Sequence, residues 1–323
     1  DEVTKRWDEK LDVFIEKRFG IGMTSQLFND YKKAFPTNYQ LKFTAQEAVE
    51  DIEHINNLGS SGNALFNLRC HPGKSQSFNL KTYNVGDKVG LHKVMPIIQN
   101  LGFCTLEENV FDVNSGAYLD PVVIQDFSLW VESKYSSENV KSNIESVIEA
   151  VFKKKIIDDL LNQLALRAGL TWRELFLIDA YCRYMLQIKF IYSQAFIRNT
   201  LVKNPAITEL LVKLFYARLC PSTHDADSAG AIEKKIKNSM MRVMDSSEDH
   251  VLAKMLELIN NTLRTNFFQN SSSGESKDYV SFKFDSKNIY DLPLPKPHTE
   301  IFVYSVKMEG VHLRGGKISR GGL

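Results

Sequence analysis

The chain has 323 residues and a formal net charge of +1, and 43% of its residues are hydrophobic and 24% charged. This composition is ordinary for a soluble globular protein of two or three domains. A near-neutral chain without a long apolar run gives no reason to expect a nucleic-acid or membrane partner.

The cysteines and the N-terminus bear on where the protein works. Four cysteines are spread along the chain without a C-x-x-C pair, which predicts free thiols in a reducing cytoplasm and no metal site. The chain begins without Met and has no signal-peptide core. We therefore expect a cytoplasmic piece of a longer polypeptide.

Residues 1–39 are predicted to be an N-terminal helical segment. Apolar side chains recur there at helical spacing, and the pattern predicts a helix as far as about residue 34. These side chains are Trp7, Leu11, Phe14 and Ile15.

Residues 40–134 alternate helix and strand patterns. Thr44 and Glu47 form a capping box that begins a helix. Two alternating strands, a short helix over Leu91–Asn100 and two more strands, Phe103–Val113 and Val122–Trp130, follow. This order predicts a small two-layer α/β sandwich.

Residues 135–268 are predicted to be helical. An apolar stripe beginning at Val140 continues to Leu164. Thr171 and Glu174 form a second capping box after Gly169, and the last helix is expected to reach about Arg264. A serine-rich stretch, 269–277, predicts a domain boundary.

The end of the chain carries an unusual glycine pattern. An alternating strand leads into two glycine pairs, Gly315-Gly316 and Gly321-Gly322, which bracket Lys317 and Arg320. Cations among such flexible glycines suit the binding of a carboxylate or phosphate. Neither the Walker A nor the dinucleotide-binding spacing is met, and a glycine-rich turn between strands is the alternative.

Two other patterns suggest sites. Residues 164–174 are similar to a DNA-reading helix-turn-helix, although two bundle helices joined by a capped turn give the same pattern. His224, Asp225 and Asp227 are close in one loop, but they lack the spacing and the further ligand of a metal site.

Several strings of the sequence resemble strings of one known family. One is MEGVHLRGGKISRGGL, Met308–Leu323. The others, in chain order, are AQEAVEDIEHINNL (45–58), MPIIQNLG (95–102), AGLTWRELFLIDAY (168–181), LRTNFFQ (263–269) and LPLPKP (292–297). The family they resemble is that of the large NAD-specific glutamate dehydrogenases of bacteria, and Met308–Leu323 is similar to the start of the catalytic domain there. The resemblance covers most of the chain.

The resemblance implies an α+β chain in four parts. These are the N-terminal helical segment, an ACT-like α/β sandwich at 40–134, a helical domain at 135–268, and a linker with the start of a truncated catalytic domain at 269–323. It implies a regulatory and assembly portion of an enzyme that oxidises L-glutamate to 2-oxoglutarate and ammonium while reducing NAD. A homo-oligomer and control by a small metabolite are expected.

The resemblance also implies where substrate binds. Arg320-Gly321-Gly322-Leu323 resembles a Lys-Gly-Gly-hydrophobic-Arg string that contributes to substrate carboxylate binding in shorter relatives. Arg320, Gly321 and Gly322, with Lys317, are therefore the expected substrate-binding residues. The catalytic lysine and the NAD-binding domain are expected beyond Leu323, so the chain alone is predicted to be inactive.

Two alternatives to this function stay open. One is a free-standing ACT-like module that binds an amino acid, which would need no catalytic domain. The other is a DNA-binding regulator that uses the turn near Gly169, although the chain lacks a basic surface.

Overall fold

A computed structural model describes most of the chain and divides it into two compact units. The described residues are 6–20, 27, 29–58, 64–71, 74–132, 140–222 and 225–316. One unit holds Asp1–Gln99 with Phe103–Ser136, and the other holds Asn100–Gly102 with Ser137–Leu323. None of the described helices is both long enough and apolar enough to cross a membrane.

The first unit is a four-stranded antiparallel sheet with helices. Its strands lie in the order β1-β2-β4-β3. In chain order the elements are α1 (Trp7–Phe19), α2 (Thr37–Lys42), α3 (Ala45–Leu58), β1 (Leu65–His71), β2 (Lys74–Val85), α4 (Leu91–Asn100), β3 (Cys104–Val113) and β4 (Val122–Trp130). The predicted succession of helix, two strands, helix and two strands is confirmed.

Helices cover both faces of this sheet. Lys81 of β2 reaches Asp51 on α3, so α3 lies on the face that carries Lys81. The strand register places Thr105 of β3 on the opposite face of the sheet. There its hydroxyl contacts the sulfur of Met95 on α4 at 3.8 Å, so α4 lies on that face. The unit thus has three layers, one more than the two-layer sandwich predicted from the sequence.

The first helix is shorter than its apolar pattern predicts. It ends at Phe19, and Gly20 follows with a φ of +80°. Glycine adopts this left-handed conformation at no steric cost, so it ends the helix although apolar spacing continues beyond it. The expectation of one helix to about residue 34 is wrong.

The second unit combines a helical array with a second antiparallel sheet in the order β5-β6-β7-β8. Its elements are α5 (Val140–Phe152), a 3-10 turn (Leu160–Asn162), α6 (Gln163–Arg167), α7 (Trp172–Gln187), α8 (Gln194–Lys203), α9 (Pro205–Leu219), α10 (Ala226–Met240), α11 (Ser246–Asn260), β5 (Thr262–Thr265), β6 (Val280–Phe284), a second 3-10 turn (Ser286–Asn288), β7 (Thr299–Tyr304) and β8 (Glu309–Arg314).

Helix α7 is the element on which the second sheet packs. The predicted capping box begins it, with the Thr171 amide donating to Glu174 at 2.8 Å. Its tyrosines then stack on the sheet, Tyr181 on Phe282 at 4.4 Å and Tyr184 on Phe284 at 4.1 Å between ring centroids. We call the sheet face that meets α7 the inner face.

Two helices end earlier than the sequence predicts. The stripe from Val140 to Leu164 is interrupted after Phe152, where Lys154 has a φ of +55°. The helix expected to reach Arg264 ends at Asn260, and the next residues form β5 against β6.

The serine-rich stretch 269–277, where the sequence predicts a domain boundary, lies inside the second unit. Its residue Glu275 pairs with Lys155 of the same unit at 3.2 Å.

Candidate functional site

The segment predicted to bind substrate follows directly on β8. The hairpin of β7 and β8 ends where Thr299 pairs with Arg314, and Gly315 and Gly316 come next. Lys317, Arg320, Gly321 and Gly322 lie outside the described residues. Their role in binding stays a prediction, and the described structure tells how the hairpin that leads to them is held.

Two tyrosine–carboxylate hydrogen bonds join β7 to α7 in opposite directions. Tyr184 of α7 donates to Glu300 of β7, and Tyr304 of β7 donates to Asp179 of α7. All four residues are buried. We call this pair of bonds the reciprocal clamp.

Both tyrosines of the reciprocal clamp remain hydrogen-bond donors at any physiological pH. Burial, together with the charge and hydrogen bond of Asp179, raises the pKa of the Tyr304 hydroxyl far above its usual range. Burial and the bond to Glu300 do the same for the pKa of Tyr184. The clamp therefore needs only the two carboxylates in their ionised form, the stronger type of acceptor.

Arg198 extends the clamp into the helical array. Its guanidinium, on α8, contacts Asp179 and also lies 2.8 Å from Asp159. Burial opposes its charge, yet the two carboxylates raise the pKa of Arg198 above its ordinary value. The Asp159 carboxylate also accepts from the Leu161 amide at 2.8 Å. A continuous polar path thus runs from Asp159 through Arg198 and Asp179 to Tyr304.

This polar path is a structural network and not a pocket. The cavity beside Asp159 and Asp179 measures about 10 Å³, the room that a single water occupies. A metabolite cannot enter it. What the network can do is fix the position of β7, and with it the hairpin that precedes the glycine-rich segment.

Asp159 gives this network a pH dependence. Burial, opposed by Arg198, raises the pKa of the Asp159 carboxyl to about 6, against about 3.9 in an unfolded chain. Between these values the folded state binds more protons, so the free energy of unfolding falls as the pH rises through this window. The loss amounts to about 3 kcal/mol for a shift of about two units.

We therefore expect Asp159→Asn to remove this part of the pH profile. From pH 4 to pH 7 the parent loses about 3 kcal/mol of stability through Asp159 and the variant does not. The free energy of unfolding of the variant minus that of the parent should therefore increase by about 3 kcal/mol over this range. Hydrogen exchange of the α7 amides at several pH values measures this. Glu209→Gln, which changes an exposed carboxylate paired with Lys213, should follow the parent. Parallel profiles of parent and Asp159→Asn would refute the assignment.

The first unit holds a second buried polar cluster. The Asp51 carboxylate on α3 accepts from Lys81 at 2.6 Å, from Tyr83 at 2.8 Å and from Tyr39. The Lys81 ammonium also lies 3.8 Å from the centroid of the Phe43 ring. Each charge is satisfied within the unit, so the cluster joins α3 and α2 to the sheet and offers no free charge to a ligand.

Helix α7 lacks the exposed face that the DNA-binding helix-turn-helix alternative requires. Gly169 does form the turn, with a φ of +65°, but the side chains of α7 from Leu175 to Cys182 are all buried. Arg173, one of the two basic residues of the pattern, donates to the backbone oxygens of Lys277 and Phe267. A recognition helix needs an exposed face for the major groove.

The acidic loop residues act as a helix cap. The Asp225 carboxylate accepts from the Asp227 amide at 3.0 Å at the start of α10, and His224 lies outside the described residues. Within the described ranges, no group of three His, Cys, Asp or Glu side chains could hold a metal ion. The four cysteines all lie among the described residues, and none of them forms a disulfide bond.

Sequence reasoning missed the residues of the polar network. Asp159, Asp179, Arg198 and Glu300 were not singled out, because each is an ordinary charged residue in its local pattern. One signal was available, since Asp179 stands between Ile178 and Ala180 in the otherwise apolar run 175–182. A charged residue at such a position is buried only when it is paired.

Comparisons with known proteins give one consistent family. Four domain models match the chain in order: glutamate dehydrogenase helical motif 2 at residues 15–58, its ACT3 domain at 67–142, its helical motif 3 at 156–221, and the bacterial NAD-glutamate dehydrogenase catalytic domain at 235–323.

Curated relatives align along the whole chain. The chain is 34% identical to the NAD-specific glutamate dehydrogenase of Halomonas elongata over 335 positions. It is 31% identical to the proteins of that name from Pseudomonas aeruginosa and from Mycobacterium tuberculosis. In each case the alignment takes in 100% of the chain and 20% of the relative, so the chain spans about a fifth of their length.

Proposed function

The chain belongs to the family of the bacterial NAD-specific glutamate dehydrogenases, and we propose that it forms a regulatory and assembly portion of such an enzyme. In this proposal the ACT-like unit and the helical array precede, along the chain, the first strands of the catalytic domain. The longer polypeptide converts L-glutamate, NAD and water into 2-oxoglutarate, ammonium and NADH.

One observation carries this proposal. The reciprocal clamp and the tyrosine stacks join α7 of the helical array to the hairpin of β7 and β8, which lies within the match to the catalytic domain at residues 235–323. An arrangement of this kind suits an element that supports or adjusts a catalytic domain. A free-standing amino-acid sensor would need neither the hairpin nor its anchor.

The described residues do not fit NAD. A dinucleotide site is built at the end of parallel strands, with a glycine-rich turn leading into a helix. Both described sheets are antiparallel throughout. We therefore assign NAD binding, and the catalytic lysine, to other parts of the longer polypeptide.

The glycine-rich segment is the proposed substrate contact. It follows β8, whose partner strand is held by two buried hydrogen bonds, so its starting point is fixed. Arg320 can grip a carboxylate with two parallel N–H bonds, and Gly321 and Gly322 allow close approach of the backbone. Lys317 adds a second cation. The substrate classes that fit are L-glutamate and 2-oxoglutarate.

Assembly and control complete the proposal. We assign the large non-catalytic region to homo-oligomer formation in the cytoplasm, with a small metabolite as effector. The helical array and the ACT-like sheet support this assignment by analogy with the family.

Arg320→Ala is expected to reduce glutamate-dependent NADH formation by the longer polypeptide by about 10²-fold or more, since loss of a charged hydrogen bond to substrate costs about 3 kcal/mol. The assay follows NADH with L-glutamate as the only donor. Lys307→Ala, at an exposed turn residue between β7 and β8, is the matched control and should keep full activity.

The outcomes separate the site from the function. Unchanged activity of Arg320→Ala would leave the enzyme in place and remove Arg320 from the substrate site. A folded parent polypeptide that forms no NADH from L-glutamate would refute the proposed function itself.

A further inference from the structure

The outer face of the second sheet is the face turned away from α7. Cross-strand pairing places Arg264 of β5 opposite Lys283 of β6, Lys283 opposite Ile301 of β7, and Ile301 opposite His312 of β8. Residues directly opposite in a sheet point to the same face. One row across the four strands therefore carries three basic side chains and one apolar side chain.

Arg264 and Lys283 form an unfavourable pair. Like charges directly opposite each other in a sheet are destabilising. Among the described side chains, neither takes part in an ion pair. The acid nearest along β6, Asp285, accepts a hydrogen bond from Asn288 at 2.9 Å. The pair thus lacks a counter-charge within the described part of the chain.

The centre of the outer face is apolar and open. Ile301 and Val303 of β7 are only partly buried, unlike their inner neighbours Phe302 and Tyr304. Gly310 lies opposite Val303, and a methyl group added there would meet no atom within 4 Å. Small-molecule sites are concave. This open face is therefore better suited to binding part of a protein than to binding a small molecule.

The distance between the strands indicates which protein element fits the outer face. Neighbouring strands lie about 4.8 Å apart, so β6 and β8 lie about 10 Å apart with β7 between them. A helix with its side chains is about 10–12 Å across. A helix along β7 would therefore meet Ile301 and Val303 with its centre, and its two flanks would face the cations of β6 and β8.

We propose that the outer face binds an amphipathic helix that lies along β7 with an apolar stripe flanked by carboxylates. The stripe covers Ile301 and Val303. One flank neutralises Lys283 and Arg264, and the other faces His312 and Arg314. This partner removes the like-charge repulsion, and it covers the apolar side chains of the outer face.

Two synthetic peptides test this proposal with the 323-residue chain. Both are designed helices with the same Leu and Ala stripe, one flanked by Glu and the other by Lys. We expect the Glu peptide to bind at least about tenfold more tightly at low salt, since complementary charge selects partners. Higher salt should reduce the difference in affinity between the two peptides, because it screens the charges. Fluorescence anisotropy of the labelled peptides measures both affinities.

Changing the charge of the Arg264 and Lys283 flank should weaken the preference for the Glu peptide. The double variant R264E/K283E is expected to lose the preference for the Glu peptide, because its face then offers carboxylates to one flank and His312 and Arg314 to the other. The variant R264M/K283M, which keeps the apolar stems, is expected to keep a smaller preference for the Glu peptide. Lys234→Glu, on the exposed side of α10, is the control and should behave as the parent. Equal binding of both peptides to the parent, no binding of either, or an unchanged preference in the folded R264M/K283M variant would overturn the proposal.

Discussion

Asp179→Ala is expected to lower the free energy of unfolding of the second unit by about 3–5 kcal/mol, the usual cost of breaking a buried ion pair from one side. Asp179 accepts from Tyr304 and contacts Arg198, and all three side chains are largely buried. The substitution leaves the buried guanidinium with Asp159 as its one remaining carboxylate partner, and it removes the carboxylate acceptor of the buried Tyr304 hydroxyl. Hydrogen exchange of the α7 and β7 amides gives the loss directly.

A graded series distinguishes this effect from a general loss of packing. Tyr304→Phe removes only a hydroxyl and should cost about 1 kcal/mol. Glu209→Ala breaks an exposed pair with Lys213 and should cost less than about 0.5 kcal/mol. An Asp179→Ala variant within about 1 kcal/mol of the parent would show that the network does not hold β7.

Lys81→Met is expected to destabilise the first unit by about 3–5 kcal/mol, because it leaves the Asp51 carboxylate buried without a counter-charge. Asp51 is fully buried, and its other partners, Tyr39 and Tyr83, are neutral hydroxyl donors. Methionine preserves the length of the Lys81 stem, so the cavity contribution stays small. Hydrogen exchange of the α3 amides measures the loss.

A second substitution should recover part of that stability. Asp51→Asn in the Lys81→Met background removes the unpaired charge and keeps an oxygen for the tyrosine hydroxyls. We expect the double variant to be at least about 1 kcal/mol more stable than Lys81→Met alone. Lys153→Met, in an exposed pair with Glu149, is the surface control. A double variant weaker than the single one would place the cost in packing and not in the stranded charge.

Local chemistry let the sequence predict where some elements begin. Both capping boxes, Thr44 with Glu47 and Thr171 with Glu174, bond as their spacing implies. These predictions succeed because the interacting groups are three residues apart. The interaction is then determined by the local sequence alone.

Helix ends were harder to predict, because periodic apolar residues record burial and not backbone conformation. The apolar pattern runs past Gly20 and Lys154 without a break, yet both residues have positive φ and no helix continues through them. The strand β5 is four residues long, and it exists because β6 offers it a ladder. No local pattern predicts such a strand.

The polar network shows most clearly which contacts cannot be predicted from sequence patterns. Tyr304 and Asp179 are 125 positions apart in the chain, and Tyr184 and Glu300 are 116 apart. Each pair forms only because α7 and β7 pack together, and sequence periodicity does not report that packing. The glycine-rich segment presents the opposite case, since the sequence singles out Lys317, Arg320, Gly321 and Gly322 and their geometry stays a prediction.

The position of the reciprocal clamp along the hairpin has a mechanical consequence. Glu300 pairs across the sheet with Leu313, one residue before Arg314, so the Tyr184 bond grips the hairpin at its open end. Tyr304 pairs with Glu309 beside the turn and holds the other end. With both ends gripped, the hairpin cannot pivot about either one. We therefore expect a displacement of α7 to move the hairpin with it, and Gly315, just beyond the held end, gives the following segment the backbone freedom to change direction.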